Sequence, residues 1–64
     1  MVKRDPIAEQ RVLDAMREEG TISDIARRTG YTEMQIRRFV NLFQSEGKIY
    51  ARQRNGRHYY GTEV

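Results

Sequence analysis

Apolar and polar positions follow two different periods along this chain. Up to about residue 47 the apolar residues recur every three or four positions, and from residue 49 they alternate with polar ones. The first stretch divides into three helical segments. Ala8, Val12, Ala15 and Met16 share a face, which Ile7 and Leu13 widen. Asp5 is placed to cap this helix, with Pro6 at its first position, where a missing N–H costs nothing, and Gly20 supplies the stop. Thr21 and Ile22 read as a very short strand or an extended link. Ser23 caps a second helix over about 24–29, with Ile25 and Ala26 turned inward, and Gly30 ends it in a tight turn that tolerates positive φ. Thr32 caps the third helix, Gln35 completes a capping box, and the helix runs to about Glu46 and stops at Gly47.

At about 100° per residue, Ile36, Phe39, Val40 and Phe43 of the third helix fall on one narrow face. The opposite face collects Met34, Arg37, Arg38, Asn41 and Ser45. Leu42 lies at the margin, where the next segment could cover it. That segment, residues 49–62, reads as two strands reversing at Asn55-Gly56, a pair suited to a type I′ turn because both centres need positive φ. Gln53 then faces His58, Arg54 faces Arg57 and Ala51 faces Tyr60. One face carries Ile49, Ala51 and Tyr60 toward the core, and the other carries Tyr50, Arg52, Arg54, Arg57 and Tyr59.

Charge is polarised along the same line. Residues 5–19 hold five acids against two bases, whereas residues 27–58 hold eight bases against two acids, giving −3 and +6. A positive end built from the paired helices and the hairpin suits an anionic partner. Sixty-four residues make one domain, 1–64, with residues 1–4 as a loose basic tail; a chain this short buries only about 60% of its unfolded surface. Cysteine is absent, which excludes disulfides and thiolate metal sites, and the single His58 cannot hold a metal alone. No apolar run approaches the roughly 20 residues of a membrane span, and MVKRDP lacks a signal-peptide core. The expectation is a cytoplasmic protein without cofactor or small-molecule ligand. An enzyme is not expected, since there is no nucleophile–base constellation, metal cluster or phosphate-cradling loop.

Helix, short strand, helix, turn, helix and basic hairpin, carried by ISDIARRTGYTEMQIRRFVNLFQSEGKIYARQRNGRHYYG over about residues 22–61, resemble the winged helix-turn-helix family. The segments IARRTGYT and LFQSEGKI and the Tyr-rich return strand are the most similar. The fold expected is α+β: three helices followed by a two-stranded wing, with a short third strand near Thr21-Ile22. The resemblance implies a small regulator, of repressor or phage and mobile-element type, binding specific double-stranded DNA. Its recognition helix, about 33–46, would enter the major groove, and its wing, about 49–61, would lie on the backbone or minor groove. By that resemblance Glu33, Met34, Gln35, Arg37, Arg38 and Asn41 take base-contacting positions. Thr32, Arg27, Arg28, Ser45 and Lys48 take the backbone, and Arg52, Arg54, Asn55, Arg57 and Tyr59 the wing.

Residue chemistry sharpens some of these roles and offers plainer ones for others. Arg can meet guanine and Asn adenine with two hydrogen bonds each, from Arg38 and Asn41 at the middle of the exposed face; Arg37, further round, suits a phosphate. Met34 could touch a thymine methyl or pack under the wing. Thr32 and Glu33 are explained equally well by capping and by the helix dipole, and Arg27 and Arg28 by the end of the second helix. Tyr50 and Tyr59 could stack on each other across the strands, and His58 reads as a strand residue. The brevity of the chain implies that a homodimer would be weak or induced by DNA. Two other functions use the same fold: a protein-interaction module of a larger assembly, and binding of structured RNA.

Overall fold

The computed structural model describes residues 4–62, as three helices followed by an antiparallel hairpin. Helix α1 spans Pro6–Ala15. The Asp5 carboxylate accepts from the Ile7 and Ala8 amides at 3.0 and 3.3 Å, satisfying two of the donors a helix start leaves open. The helix ends earlier than Gly20, with Met16 as its cap, because the sheet captures the backbone of Met16 and Gly20. The Met16 carbonyl accepts from the Thr62 amide at 3.1 Å, and Gly20 exchanges two backbone hydrogen bonds with Tyr60, at 3.2 and 2.8 Å. The short third strand expected at Thr21-Ile22 is thus a single bridge at Gly20. Ile7, expected in the apolar stripe, is 72% exposed.

Helix α2 spans Ile22–Thr29, and its cap is Thr21, not Ser23. Thr21 Oγ1 accepts from the Asp24 amide and Asp24 Oδ2 accepts from the Thr21 amide, both at 3.1 Å. A capping box needs an acceptor three residues after the cap; Thr21 finds Asp24 there, whereas Ser23 would find Ala26. The donated amide holds the Asp24 carboxyl below its usual pKa. Gly30 closes the helix at φ 81° with nothing within 4 Å of where a Cβ would sit. Helix α3, Glu33–Ser45, opens on the expected Thr32–Gln35 box. It closes with the Lys48 amide on the Phe43 carbonyl at 2.9 Å and the Gly47 amide on Gln44 at 3.1 Å, the paired bonds of a Schellman ending.

Strands β1, Ile49–Arg54, and β2, Arg57–Thr62, pair in the expected register, from Arg54 opposite Arg57 back to Ile49 opposite Thr62. Asn55 and Gly56 both take positive φ, 50° and 75°. Val12, Met16, Ile25, Ala26, Ile36, Val40, Phe43 and Ile49 form one core drawn from all three helices and the root of β1. The hairpin soon outruns this core, so Ala51, expected inside, is exposed. Phe39 is only partly buried, its ring 6.1 Å from Tyr31 and 5.9 Å from Phe43. Leu42 is not covered by the hairpin; it lines a groove beside the start of α1, with Arg4, Glu9 and Arg38.

Arg4 is no part of a loose tail; residues 1–3 lie outside the described region. Its guanidinium reaches Glu9 at 2.6 and 3.0 Å and Glu46 at 3.1 and 3.2 Å, clamping the start of α1 to the end of α3. These hydrogen bonds push the Arg4 pKa up and hold both carboxyls below their usual value.

Two expected outcomes test this fold. Gly30→Ala meets no neighbour, so its cost is backbone strain alone, about 1–2 kcal/mol in denaturant unfolding. Because Glu9 and Glu46 have depressed folded-state pKa values, the stability they contribute is complete above the ordinary carboxyl value of 4.5 and is lost as pH falls below it. Arg4→Ala should therefore be less stable than the parent at pH 7, and the two proteins should converge in acid unfolding curves.

Candidate nucleic-acid interface

The apolar side of α3 is committed to the core, which leaves Met34, Arg37, Arg38, Asn41 and Ser45 exposed on the other side. Arg37 and Asn41, one turn apart, look toward the hairpin. They line an open cleft of about 440 Å³ whose other walls are the start of α2 (Thr21, Ile22, Ser23) and β2 (Arg57, His58, Tyr60). Among the described residues no carboxylate lines this cleft, while two guanidinium groups and an imidazole do. Arg38 leaves the helix on the other flank, above the groove shared with Arg4, Gln35 and Leu42.

His58 has a larger place here than its strand position suggests. It shares a face with Tyr60, and once the hairpin extends past the core that face turns toward α3. Alternation reveals such a face but not what stands opposite it.

Several candidate residues are engaged within the protein. The Gln35 side chain accepts from the Thr32 amide at 3.0 Å, and Thr32 Oγ1 accepts from the Gln35 amide at 3.1 Å. Ser45 Oγ donates to the Leu42 carbonyl at 2.7 Å. Arg28 donates from Nη1 to the carbonyls of Ala15 and Glu18, at 3.0 and 2.7 Å, tying α2 to the chain leaving α1. Lys48 lies 3.5 Å from Glu46 and over the Phe43 ring. Arg27 and Glu33 border the hollow at the α2–α3 turn, beside Thr32 and Tyr31.

The other face of the hairpin carries a ladder of aromatic and cationic side chains. The Arg52 guanidinium lies 5.6 Å from the Tyr50 ring centre, and that of Arg54 lies 5.8 Å from Tyr59. At its root stands Glu19, which the sequence presents only as one acid among five. The Tyr50 hydroxyl donates to Glu19 at 2.8 Å, and Arg54 and Arg52 approach the same carboxylate at 3.4 and 3.9 Å. That hydrogen bond to a carboxylate raises the Tyr50 pKa. Only spatial proximity across the sheet reveals this cluster, since Glu19 lies more than 30 positions from its partners.

Among the described residues no helix is long and apolar enough to cross a membrane, and no group of three or more His, Cys, Asp or Glu could hold a metal. No curated protein sequence matches the chain. The crystal structure of NolR from Sinorhizobium fredii superposes on it with a TM-score of 0.83 over 94% of its length, at 16% identity. The chain spans 60% of the NolR chain, so this likeness bears on the fold. A family model for the winged helix-turn-helix matches residues 10–61. With three helices, a wing and that match over most of its length, the chain belongs to the winged helix-turn-helix family.

Proposed function

We propose that this chain binds specific duplex sequences by laying α3 in the major groove, with the cleft between α3 and β2 straddling the adjacent phosphate backbone. The observation that carries this reading is the cleft itself: Arg37, Asn41, Arg57 and His58 converge from two elements, with no carboxylate among the described residues that line it. A concave, acid-free, cationic surface attracts a polyanion, and an exposed helix face beside it can reach base edges.

Met34, Arg38 and Asn41 are the side chains best placed to read bases. They are exposed on α3 and are not needed for its caps, unlike Thr32 and Gln35. Arg37 and Arg57 serve the backbone from the two walls of the cleft. Arg27 and the α2–α3 turn lie at the far end of the same surface. Arg28 acts as an internal clamp in this reading, because its Nη1 already donates to two carbonyls. About four to six phosphate contacts would give a log–log salt slope of roughly −4 to −5.

Selection of bound oligonucleotides from a random pool, followed by mobility shifts on the recovered site, tests the assignment. Arg38→Ala or Asn41→Ala should relax base preference by about 1–3 kcal/mol at one position. Arg57→Ala should weaken all sequences alike and flatten the salt slope by about one. Tighter binding to hairpin RNA than to duplex DNA at one salt concentration, or no salt-dependent binding to either, would overturn the reading.

A further inference from the structure

Glu19 stands where a nucleic-acid phosphate would be expected among the wing's cations. It leaves the α1–α2 connection one residue before Gly20 bridges to Tyr60 of β2, so its side chain must cross β2 to meet β1. The crossing occurs at Gly61. Tyr50 lies directly opposite Gly61, and a Cβ there would sit 2.6 Å from the Tyr50 hydroxyl oxygen and 2.8 Å from its ring. The missing side chain lets Tyr50 lie flat over β2 and donate to Glu19 at 2.8 Å. Its grip on Glu19 is short and partly buried. The two guanidinium groups are held loosely, at 3.4 and 3.9 Å, and their side chains remain 60% and 57% exposed.

We propose that Glu19 is an internal stand-in for phosphate: it occupies Arg54, and more weakly Arg52, in the free protein and yields Arg54 when DNA arrives. Tyr50 keeps the carboxylate in place throughout, so the negative charge remains fixed beside the wing as a standing competitor. The consequence is a wing whose cations are oriented before binding but only partly available, which lowers affinity for any duplex independently of sequence. A guanidinium already neutralised by a protein carboxylate also releases fewer counterions on binding than a free one. Arg57, on the wall of the acid-free cleft, carries no such restraint among the described residues.

This inference rests on the DNA-binding reading, and the test separates the two. Glu19→Gln removes the charge while its amide oxygen can still accept from Tyr50, so the fold should persist, which thermal unfolding checks. Glu18→Gln, one residue earlier on an exposed side chain, is the control for net charge alone. Titration of the selected site and of an unrelated duplex, over a salt series, should find Glu19→Gln about two- to fivefold tighter on both duplexes than Glu18→Gln. Its salt slope should be steeper, by up to about one unit. Arg54→Ala should cost more in the Glu19→Gln background than in the parent. Equal affinities for the two Gln variants, weaker binding by Glu19→Gln, or an unchanged cost of Arg54→Ala would overturn the proposal while leaving the DNA-binding reading intact. A parent protein that fails to bind duplex DNA even at low salt would remove that reading itself.

Discussion

Ile36, Val40 and Phe43 are sealed from solvent against Val12, Met16 and Ile25, and the geometry of the whole surface derives from that contact. A helix anchored along one narrow stripe has no freedom to roll about its axis. Burying those three side chains therefore decides which residues of α3 face outward. Each fully buried aliphatic or aromatic side chain contributes about 1.5–3 kcal/mol, a large share of the stability available to a domain this small. Rotation by even one position would bury Arg37 or Asn41 without a partner, at a cost well above that of a lost apolar contact. The exposed face of α3 is thus as strongly specified as the core that opposes it.

The hairpin depends on the same core through a thinner connection. Two strands alone are marginal in water, and only Ile49 at the root of β1 is buried in the core. Among the described residues, besides the looser Arg54 and Arg52 pairs with Glu19, three contacts fix the hairpin to the body: the Gly20–Tyr60 bridge, the Thr62 amide on the Met16 carbonyl, and the Tyr50 hydroxyl on Glu19. All three engage the chain between α1 and α2, the segment that Arg28 also closes from the other side. That connection is the hinge point from which the wing's angle to α3, and with it the width of the cleft, is set.

Much of this is legible in the sequence because it is local. Asp5, Thr32 with Gln35, and Asn55-Gly56 act on neighbours within four residues, so their types and spacing suffice. Most of the residues whose structural roles depart from the sequence pattern answer to distant partners. Gly20 reads as a helix stop, yet β2 claims its backbone, and α1 ends early because the end of β2 claims Met16. Ala51 fits the inward alternation of its strand in a place where the core has already ended. Arg4 and Glu19 read as plain charges; their roles come from partners 42 and 31–35 positions away, which no local pattern encodes. Ser23 is the local exception: it reads as a cap, but only Thr21 has a carboxylate at the right offset.

Those long-range pairs change what the basic half of the chain means. Counted by sequence, residues 27–58 present a uniform excess of positive charge, but the structure divides the cations into two classes. Arg28, Arg52 and Arg54 have protein oxygens as partners, and Lys48 has Glu46. Among the described residues, no such partner engages Arg37 or Arg57, which share the cleft, Arg27 at the α2–α3 turn, or Arg38 on the other flank of α3. Glu19 stands behind the wing and Glu46 at the end of α3, and none of the described acids lines the cleft. The net charge of +3 therefore does not say where the unpaired guanidinium groups lie. On the proposed DNA-binding reading, this separation would turn the cleft, and with it the outward face of α3, toward the phosphates before any base is touched.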